Sequence, residues 1–205
     1  MTKVFSVLLI GLLAGSCSIN KIAMKSVADT LTSGGSADVF SSDPDPELVG
    51  DALPFAVKLY ESLLSSNPAH EGLIVTTGSL FIMYANAFVQ GPAETLPASR
   101  HEERDAAKQR AKGLYLRGTA ILSAGLENKY PGFGGAYQAG TFDTLLSKMK
   151  KADVPLLYWT VAGTLAAFSL DPFDLGLGVK IPELTAMIRR AYELDPDFNR
   201  GALDD

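Results

Sequence analysis

Apolar residues recur at intervals of three and four along most of the chain, which is the period of an amphipathic α-helix. The clearest example ends at Asn67-Pro68, and its apolar positions are Leu53, Ala56, Val57, Tyr60, Leu63 and Leu64. Similar patterns predict helices over 71–90, 101–128, 141–151, 154–170 and within 181–196. Strand signals are limited to the short GLIV and GLGV pieces. The predicted fold class is therefore all-α, with antiparallel helix pairs.

Glycine and proline interrupt the helical pattern at two places, GPAETLPASR at 91–100 and KYPGFGGAYQAG at 129–140. Both residue types mark turns and helix ends, so these segments are predicted to be loops between helices.

The run VPLLYWTVAGTLAAFSL, residues 154–170, carries no charge and lies between Asp153 and Asp171. A membrane-spanning helix needs about 20 apolar residues, and this run is shorter and contains several hydroxyl and glycine positions. Pro155 is tolerated in a first helical turn. The sequence therefore predicts a helix buried inside the protein, capped by Asp153 and ended by the Leu-Asp-Pro that begins at Leu170.

Small and aromatic residues inside these helices follow the pattern of a tetratricopeptide repeat, a helix pair of about 34 residues. Ala56, Tyr60 and Pro68 hold second-helix positions, and Gly78 and Phe81 hold first-helix positions of the following repeat. Matching positions in a later repeat are held by Trp159, Gly163 and Ala191. The prediction is a set of degenerate TPR-like pairs.

The N-terminus is typical of a bacterial lipoprotein signal: Lys3 precedes an apolar run, and small residues lead to Cys17. We predict a signal peptide over 1–16, a lipidated Cys17 with a polar spacer over 17–46, and a helical TPR-like domain over 47–205. Ala14 stands where a strict lipobox has leucine, so a conventional cleaved signal with a free thiol is the alternative. The expected location is the periplasm, with a membrane anchor on the inner or outer membrane.

Composition narrows the function classes. The 205 residues carry a net charge of −5, which provides no basic surface for nucleic acid. A single cysteine excludes a disulfide or a CxxC site within the chain.

Catalytic and metal-binding motifs are not apparent. The chain has two histidines, His70 and His101, and the HEER at 101 lacks the second histidine of a zinc-protease helix. The glycines of GFGGAYQAG are not followed by the Lys-Ser/Thr of a phosphate-binding loop. We therefore predict no enzyme, no catalytic residue, no metal and no cofactor, and we interpret HEERD as an acidic helix start.

Aromatic side chains are stronger candidates for a functional role than the histidine and glycine motifs. Several lie on helices that should face one another, where a cleft between helices would form an apolar ligand site. The candidate lining residues are Phe81, Tyr84, Phe88, Tyr115, Tyr158 and Trp159. For any one of them, ordinary core packing is the alternative.

Three stretches together resemble a known family: AAKQRAKGLYLRGTAILSAGLENKYPGF, ADVPLLYWTVAGTLAAF and IPELTAMIRRAYELDPDFNRGAL. With the lipoprotein signal, they resemble the T component associated with TRAP transporters, TatT. The resemblance implies a periplasmic TPR lipoprotein that forms homotrimers, has a hydrophobic pore in each subunit and binds the transporter's substrate-binding protein. Family chains run on through further helices after the GAL motif, whereas this chain stops at Asp205. We therefore expect either a shortened copy of the family chain or a partner that covers the exposed apolar face. For a shortened copy, the sequence does not decide whether the pore and the trimer form.

Two functions follow as hypotheses. The first is a lipid-anchored accessory protein of a TRAP-type transporter, which binds a substrate-binding protein and an apolar small molecule. The second is a general envelope scaffold of TPR type that binds no small molecule.

Overall fold

The computed structural model of the chain describes residues 24–33 and 38–203, and all regular elements within these ranges are helical. The predicted signal peptide and Cys17 lie outside the described residues. In chain order the elements are α1 (24–32), α2 (Asp38–Ser41), α3 (Pro46–Ser66), α4 (Glu71–Tyr84), a π-helical segment (Ala85–Gln90), α5 (Gly91–Glu94), a 3₁₀ turn (Ala98–Arg100), α6 (His101–Lys129), α7 (Phe133–Ala139), α8 (Asp143–Leu146), a 3₁₀ turn (Lys151–Asp153), α9 (Val154–Leu170), α10 (Leu175–Gly178) and α11 (Ile181–Leu194).

The all-α fold class is confirmed, and the predicted long helices correspond to α3, α4, α6, α9 and α11. The uncharged run 154–170 forms α9 from end to end, and its Leu156 and Leu157 are fully buried. Asp153 precedes this helix, but its carboxylate does not cap it. That carboxylate instead accepts hydrogen bonds from Tyr130 Oη at 2.6 Å and the Lys150 backbone N–H at 2.7 Å.

The two segments predicted as loops are partly helical. After α4 the chain continues through the π-helical segment into α5, and Gln90 and Gly91 at this junction both keep right-handed helical backbone angles. Within 129–140, α7 forms between Gly132 and Gly140, which both adopt left-handed backbone conformations. The Glu127 carboxylate accepts the backbone N–H groups of Gly132 and Gly134 at 2.7 Å, which fixes the start of α7. The single helix predicted over 141–151 is reduced to the four residues of α8.

Helix α6 is central, with α4 and α9 packed against it. All three helices meet at Lys129, near the end of α6, whose ammonium lies 2.8 Å from Glu71 Oε1 and 2.6 Å from Asp153 Oδ1. Since Glu71 and Asp153 stand at the starts of α4 and α9, both helices run antiparallel to α6. This confirms antiparallel helix neighbours, whereas the assignment of these pairs to TPR-like repeats stays a prediction.

Part of the predicted N-terminal spacer is packed on the helical body. Ala28 of α1 is fully buried, and Asp29 Oδ1 lies 2.9 Å from His70 Nε2 at the start of α4. The Tyr60 hydroxyl donates a hydrogen bond of 2.9 Å to the Leu31 carbonyl oxygen. Residues 24–32 therefore form a helix seated against α3 and α4, while the proposed domain boundary at residue 47 stays a prediction.

Two stretches, Glu71–Glu94 and Lys151–Leu170, are long and apolar enough to cross a membrane by length and composition. In their most apolar windows, 56% and 50% of the residues are buried inside the protein. Core helices meet the same two criteria, so both stretches are weak indications of a membrane span.

Candidate functional site

The most distinctive local feature is the π-helical segment Ala85–Gln90, which joins α4 to α5. π-Helical turns are rare and often occur at functional sites. Tyr115 of α6 holds this turn from inside: its hydroxyl donates to Gln90 Oε1 at 2.7 Å and accepts from Asn86 Nδ2 at 3.3 Å. Tyr115 is fully buried, and this burial raises the pKa of its phenol. Both hydrogen bonds compensate for burying the hydroxyl.

An aromatic pair continues from the π-helical turn. The rings of Tyr84 and Phe88 stack with centroids 6.0 Å apart. The Arg110 guanidinium lies 5.7 Å from the Tyr84 ring centroid and donates to the Tyr84 hydroxyl at 3.3 Å. The Phe88 ring also approaches α3, where a Cβ at Gly50 would lie only 2.8 Å from it. Phe88 therefore packs against both Tyr84 and the backbone of α3.

Phe88 forms one wall of a cleft of about 360 Å³ between the π-helical turn and the helices α2 and α3. We call it the aromatic cleft; its lining residues are Phe40, Asp43, Pro46, Val49, Leu53, Met83, Asn86, Ala87 and Phe88. Most of these side chains are apolar, and the polar groups are limited to Asp43 and Asn86. A concave apolar site with a few polar groups, near the lower end of the usual volume range, suits a small apolar or amphipathic molecule.

A larger groove of about 590 Å³ lies between α3, α4 and α6, with Leu64, Ile74 and Ile121 among its lining residues. Its rim carries Glu61, which pairs with Lys58 at 2.5 Å and with Arg117. Burial acts to raise the pKa of Glu61, but the hydrogen bonds from the two cations outweigh it and lower that pKa. We favour the aromatic cleft as the ligand site because the groove is wider, more open to solvent and rimmed by charges that already have partners.

Four of the six predicted cleft residues lie close to one another. Phe88 lines the aromatic cleft, Tyr84 supports it, and Tyr115 fixes the turn that carries it. Phe81 is buried one turn before Tyr84, with the Arg117 guanidinium 4.8 Å from its ring centroid. Phe81 and Tyr115 thus belong to the core behind the cleft.

The other two predicted residues, Tyr158 and Trp159, form a separate aromatic group on α9. Their rings meet edge to face at 5.1 Å, and Tyr158 contacts Phe198 at 5.2 Å. Both side chains are half-buried. The structure therefore does not bring all six aromatic residues into one cleft.

Sequence reasoning missed the wall of the aromatic cleft contributed by α2 and α3. Phe40 lies in the segment that was assigned to a polar spacer, and Val49 and Leu53 carry only the ordinary signal of a helix core. The spacing of Val49 and Leu53, one turn apart on α3, places them on one face but does not show that the face is concave.

Both histidines lie at the starts of helices. His70 Nδ1 accepts the Leu73 backbone N–H at 3.1 Å and so caps α4, while His101 begins α6, which confirms the predicted helix start. Within residues 24–33 and 38–203, no three His, Cys, Asp or Glu side chains are grouped as a metal site would require.

Comparison with known proteins identifies relatives over most of the chain. The family model described as TAtT, TRAP transporter T-component, matches residues 42–205. A protein of Treponema pallidum (strain Nichols), described as an uncharacterized protein, is 39% identical over 207 residues. The aligned region covers 94% of this chain and 64% of that protein, so the chain spans less than two thirds of its relative's length.

Proposed function

The chain belongs to the TRAP transporter T-component family, and from this premise we propose that it is a lipid-anchored periplasmic accessory protein of a TRAP-type transporter. In this proposal, Cys17 carries the lipid and the helical body binds the transporter's substrate-binding protein. The aromatic cleft holds an apolar or amphipathic small molecule. Membership of a transporter-component family also supports a role other than catalysis.

The observation that carries the ligand part of the proposal is the position of Phe88. Its ring forms a wall of the cleft and is fixed by Tyr84 and Gly50, so the apolar surface is preformed. Preformed apolar surface binds a ligand without the entropic cost of ordering side chains.

A surface stripe on α3 supports the protein-binding part of the proposal. Leu48, Phe55 and Leu59 are 58%, 74% and 41% exposed and fall on one helix face, at spacings of seven and four. Aromatic and aliphatic side chains exposed together on one face are typical of a protein interface. The stripe also favours the alternative function, a general envelope scaffold, because such a scaffold needs a docking surface and no ligand cleft.

The test uses the purified mature protein in detergent and a substrate-binding protein of a TRAP-type transporter from the same organism. We expect calorimetry to detect binding of the two proteins, with modest salt sensitivity if the apolar stripe dominates the contact. Strong weakening by salt would instead indicate that the acidic chain meets a basic partner. Native mass spectrometry with lipids retained would report a bound apolar ligand and any homotrimer.

Two matched phenylalanine substitutions separate the functions. We expect Phe88→Ala to lose the retained ligand while it keeps the partner protein, and Phe55→Ala to show the reverse. An absence of partner binding at both salt concentrations, with both proteins folded, would overturn the transporter proposal. Partner binding with an empty cleft in every preparation would favour the scaffold.

A further inference from the structure

A cleft of about 280 Å³ lies between α6, α7, α9 and α10 and shares no lining residue with the aromatic cleft. We call it the hydroxyl cleft, because five of its lining residues carry a hydroxyl group: Thr119, Ser123, Tyr137, Thr160 and Thr164. Apolar side chains, including Leu116, Phe133 and Leu177, complete its walls.

Much of this hydrogen-bonding capacity is unused within the described residues. Thr160 and Thr164 donate to carbonyl oxygens one turn earlier on α9, at 2.7 Å, and keep lone pairs free to accept. The Thr119 Oγ1 atom is buried and has no hydrogen-bond partner there. The hydroxyls of Ser123 and Tyr137 likewise make no hydrogen bond with residues 24–33 or 38–203. The Thr119 oxygen lies against Gly163 of α9, so the half-buried Ser123 and Tyr137 hydroxyls are the ones that a ligand in the cleft would use.

The Lys180 side chain brings a positive charge to the same cleft. Lys180 Nζ donates to Gln138 Oε1 at 2.7 Å and lies 5.0 Å from the centroid of the Tyr137 ring. No carboxylate of the described residues lies within ion-pairing distance of Lys180. An ammonium group has three donors, so two remain for a ligand.

Tyr137 is set up to donate rather than to ionise. Burial, and secondarily the Glu183 carboxylate, raise the pKa of Tyr137 to about 12, so its hydroxyl keeps its proton at neutral pH. Glu183 packs against Gly140 and does not line the cleft. The cleft therefore offers one cation and several neutral hydroxyl groups, with apolar walls beside them.

We infer that the hydroxyl cleft is a second ligand site, which binds a small carboxylate with a short apolar body. The carboxylate would pair with Lys180 and accept from the Tyr137 and Ser123 hydroxyls, while the apolar body lies against Leu177 and Phe133. The volume equals about nine waters at about 30 Å³ each, which fits a molecule of about eight to ten non-hydrogen atoms. The inference stands independently of the proposed transporter role.

Hexanoate, 1-hexanol and hexylamine are suitable probes because they share one apolar body and differ in the head group. Ligand-observed NMR would be run on the full mature chain in nanodiscs, with empty nanodiscs as the blank. We expect hexanoate to bind with roughly millimolar affinity, as a ligand of this size allows, and to bind at least tenfold more tightly than the other two probes.

Variants identify the groups responsible. Lys180→Gln should weaken hexanoate binding at least tenfold, whereas Lys148→Gln, at an exposed lysine, should leave it unchanged. Ser123→Ala removes a hydroxyl assigned to the carboxylate and introduces a good helix former on α6, so it should weaken binding while unfolding stability stays equal or rises. Phe88→Ala should not affect hexanoate, which separates this site from the aromatic cleft. Equal binding of hexanol and hexanoate in the Phe88→Ala variant, insensitivity of hexanoate binding to Lys180→Gln, or no binding of any probe would each overturn the inference.

Discussion

Gly118 of α6 faces the backbone of Gly78 on α4 so closely that a Cβ at position 118 would lie 2.7 Å from the Gly78 carbonyl oxygen. The central helix pair therefore meets backbone to backbone at this point. A backbone oxygen cannot rotate away as the tip of a side chain can, so the contact requires glycine at this position.

The first prediction concerns this contact. We expect Gly118→Ala to destabilise the protein by about 1–3 kcal/mol, because the added methyl group overpacks the helix crossing. Gly113→Ala is the matched control on the same helix, since no atom lies within 4 Å of a Cβ there. This control should stabilise the protein by up to about 1 kcal/mol through helix propensity. Guanidinium unfolding midpoints measure both, and shifts in the same direction would contradict the close approach.

The second prediction concerns Asp153, whose carboxylate is 1% exposed. Burial raises its pKa, but the ion pair with Lys129 and the hydrogen bonds from the Lys150 N–H and Tyr130 outweigh burial and hold that pKa below its ordinary value. Asp153→Asn should cost about 2–4 kcal/mol at pH 7, less than a fully buried ion pair because Lys129 is 32% exposed.

The pH dependence of this cost has a definite sign. A depressed carboxyl pKa stabilises the folded protein above the unfolded value of about 3.9, and the stabilisation is lost as the pH falls through the folded pKa. The difference between the original protein and Asp153→Asn should therefore narrow below about pH 4. Glu103→Gln, at an exposed pair with Arg100, should show little effect at either pH. Denaturant titrations at pH 7 and pH 3 test this, and a constant difference would contradict it.

The third prediction concerns Tyr115 and the π-helical turn. Tyr115→Phe leaves Gln90 and Asn86 without their shared partner, and we expect a loss of about 1–2 kcal/mol in unfolding free energy. Amide hydrogen exchange should accelerate at residues 85–90. Tyr192→Phe, at a half-exposed tyrosine on α11, is the control and should change neither quantity. If exchange in the turn is unaffected, Tyr115 does not hold the turn.

The fourth prediction concerns Cys17, which lies outside the described residues. The charged, apolar and small residues before it are typical of a lipoprotein signal. The mature protein should partition into the detergent phase, and Cys17→Ala should remain in the aqueous phase because the acylation site is gone. Recovery of the alanine variant as an acylated protein would rule out lipidation at this residue.

Hydrophobic periodicity was sufficient for the long helices. The uncharged run became α9, HEERD became the start of α6, and the apolar positions Leu53, Val57 and Tyr60 of α3 are buried. These helices are predictable because each buries one face or its whole surface, and the buried positions recur with the helical period along the sequence.

The short elements were not predictable in the same way. Helix α7 depends on left-handed backbone conformations at Gly132 and Gly140 and on the Glu127 carboxylate, and glycine by itself indicates a loop equally well. The π-helical turn is hydrogen-bonded to Tyr115, which lies 25 residues after Gln90 in the chain. A local pattern cannot report a contact between helices.

The sequence by itself determined the all-α class, the long helices and the family resemblance, because helical period and family motifs are local properties of the chain. The tertiary structure alone decided which aromatic residues meet. It placed Phe88 on a cleft wall, Tyr115 in the core behind it, and Tyr158 beside Phe198 in a separate group. It also brought Lys180 to the hydroxyl groups of α6 and α9. Concave surfaces form between helices, so their lining depends on helix rotation and crossing, which many weak packing contacts fix together.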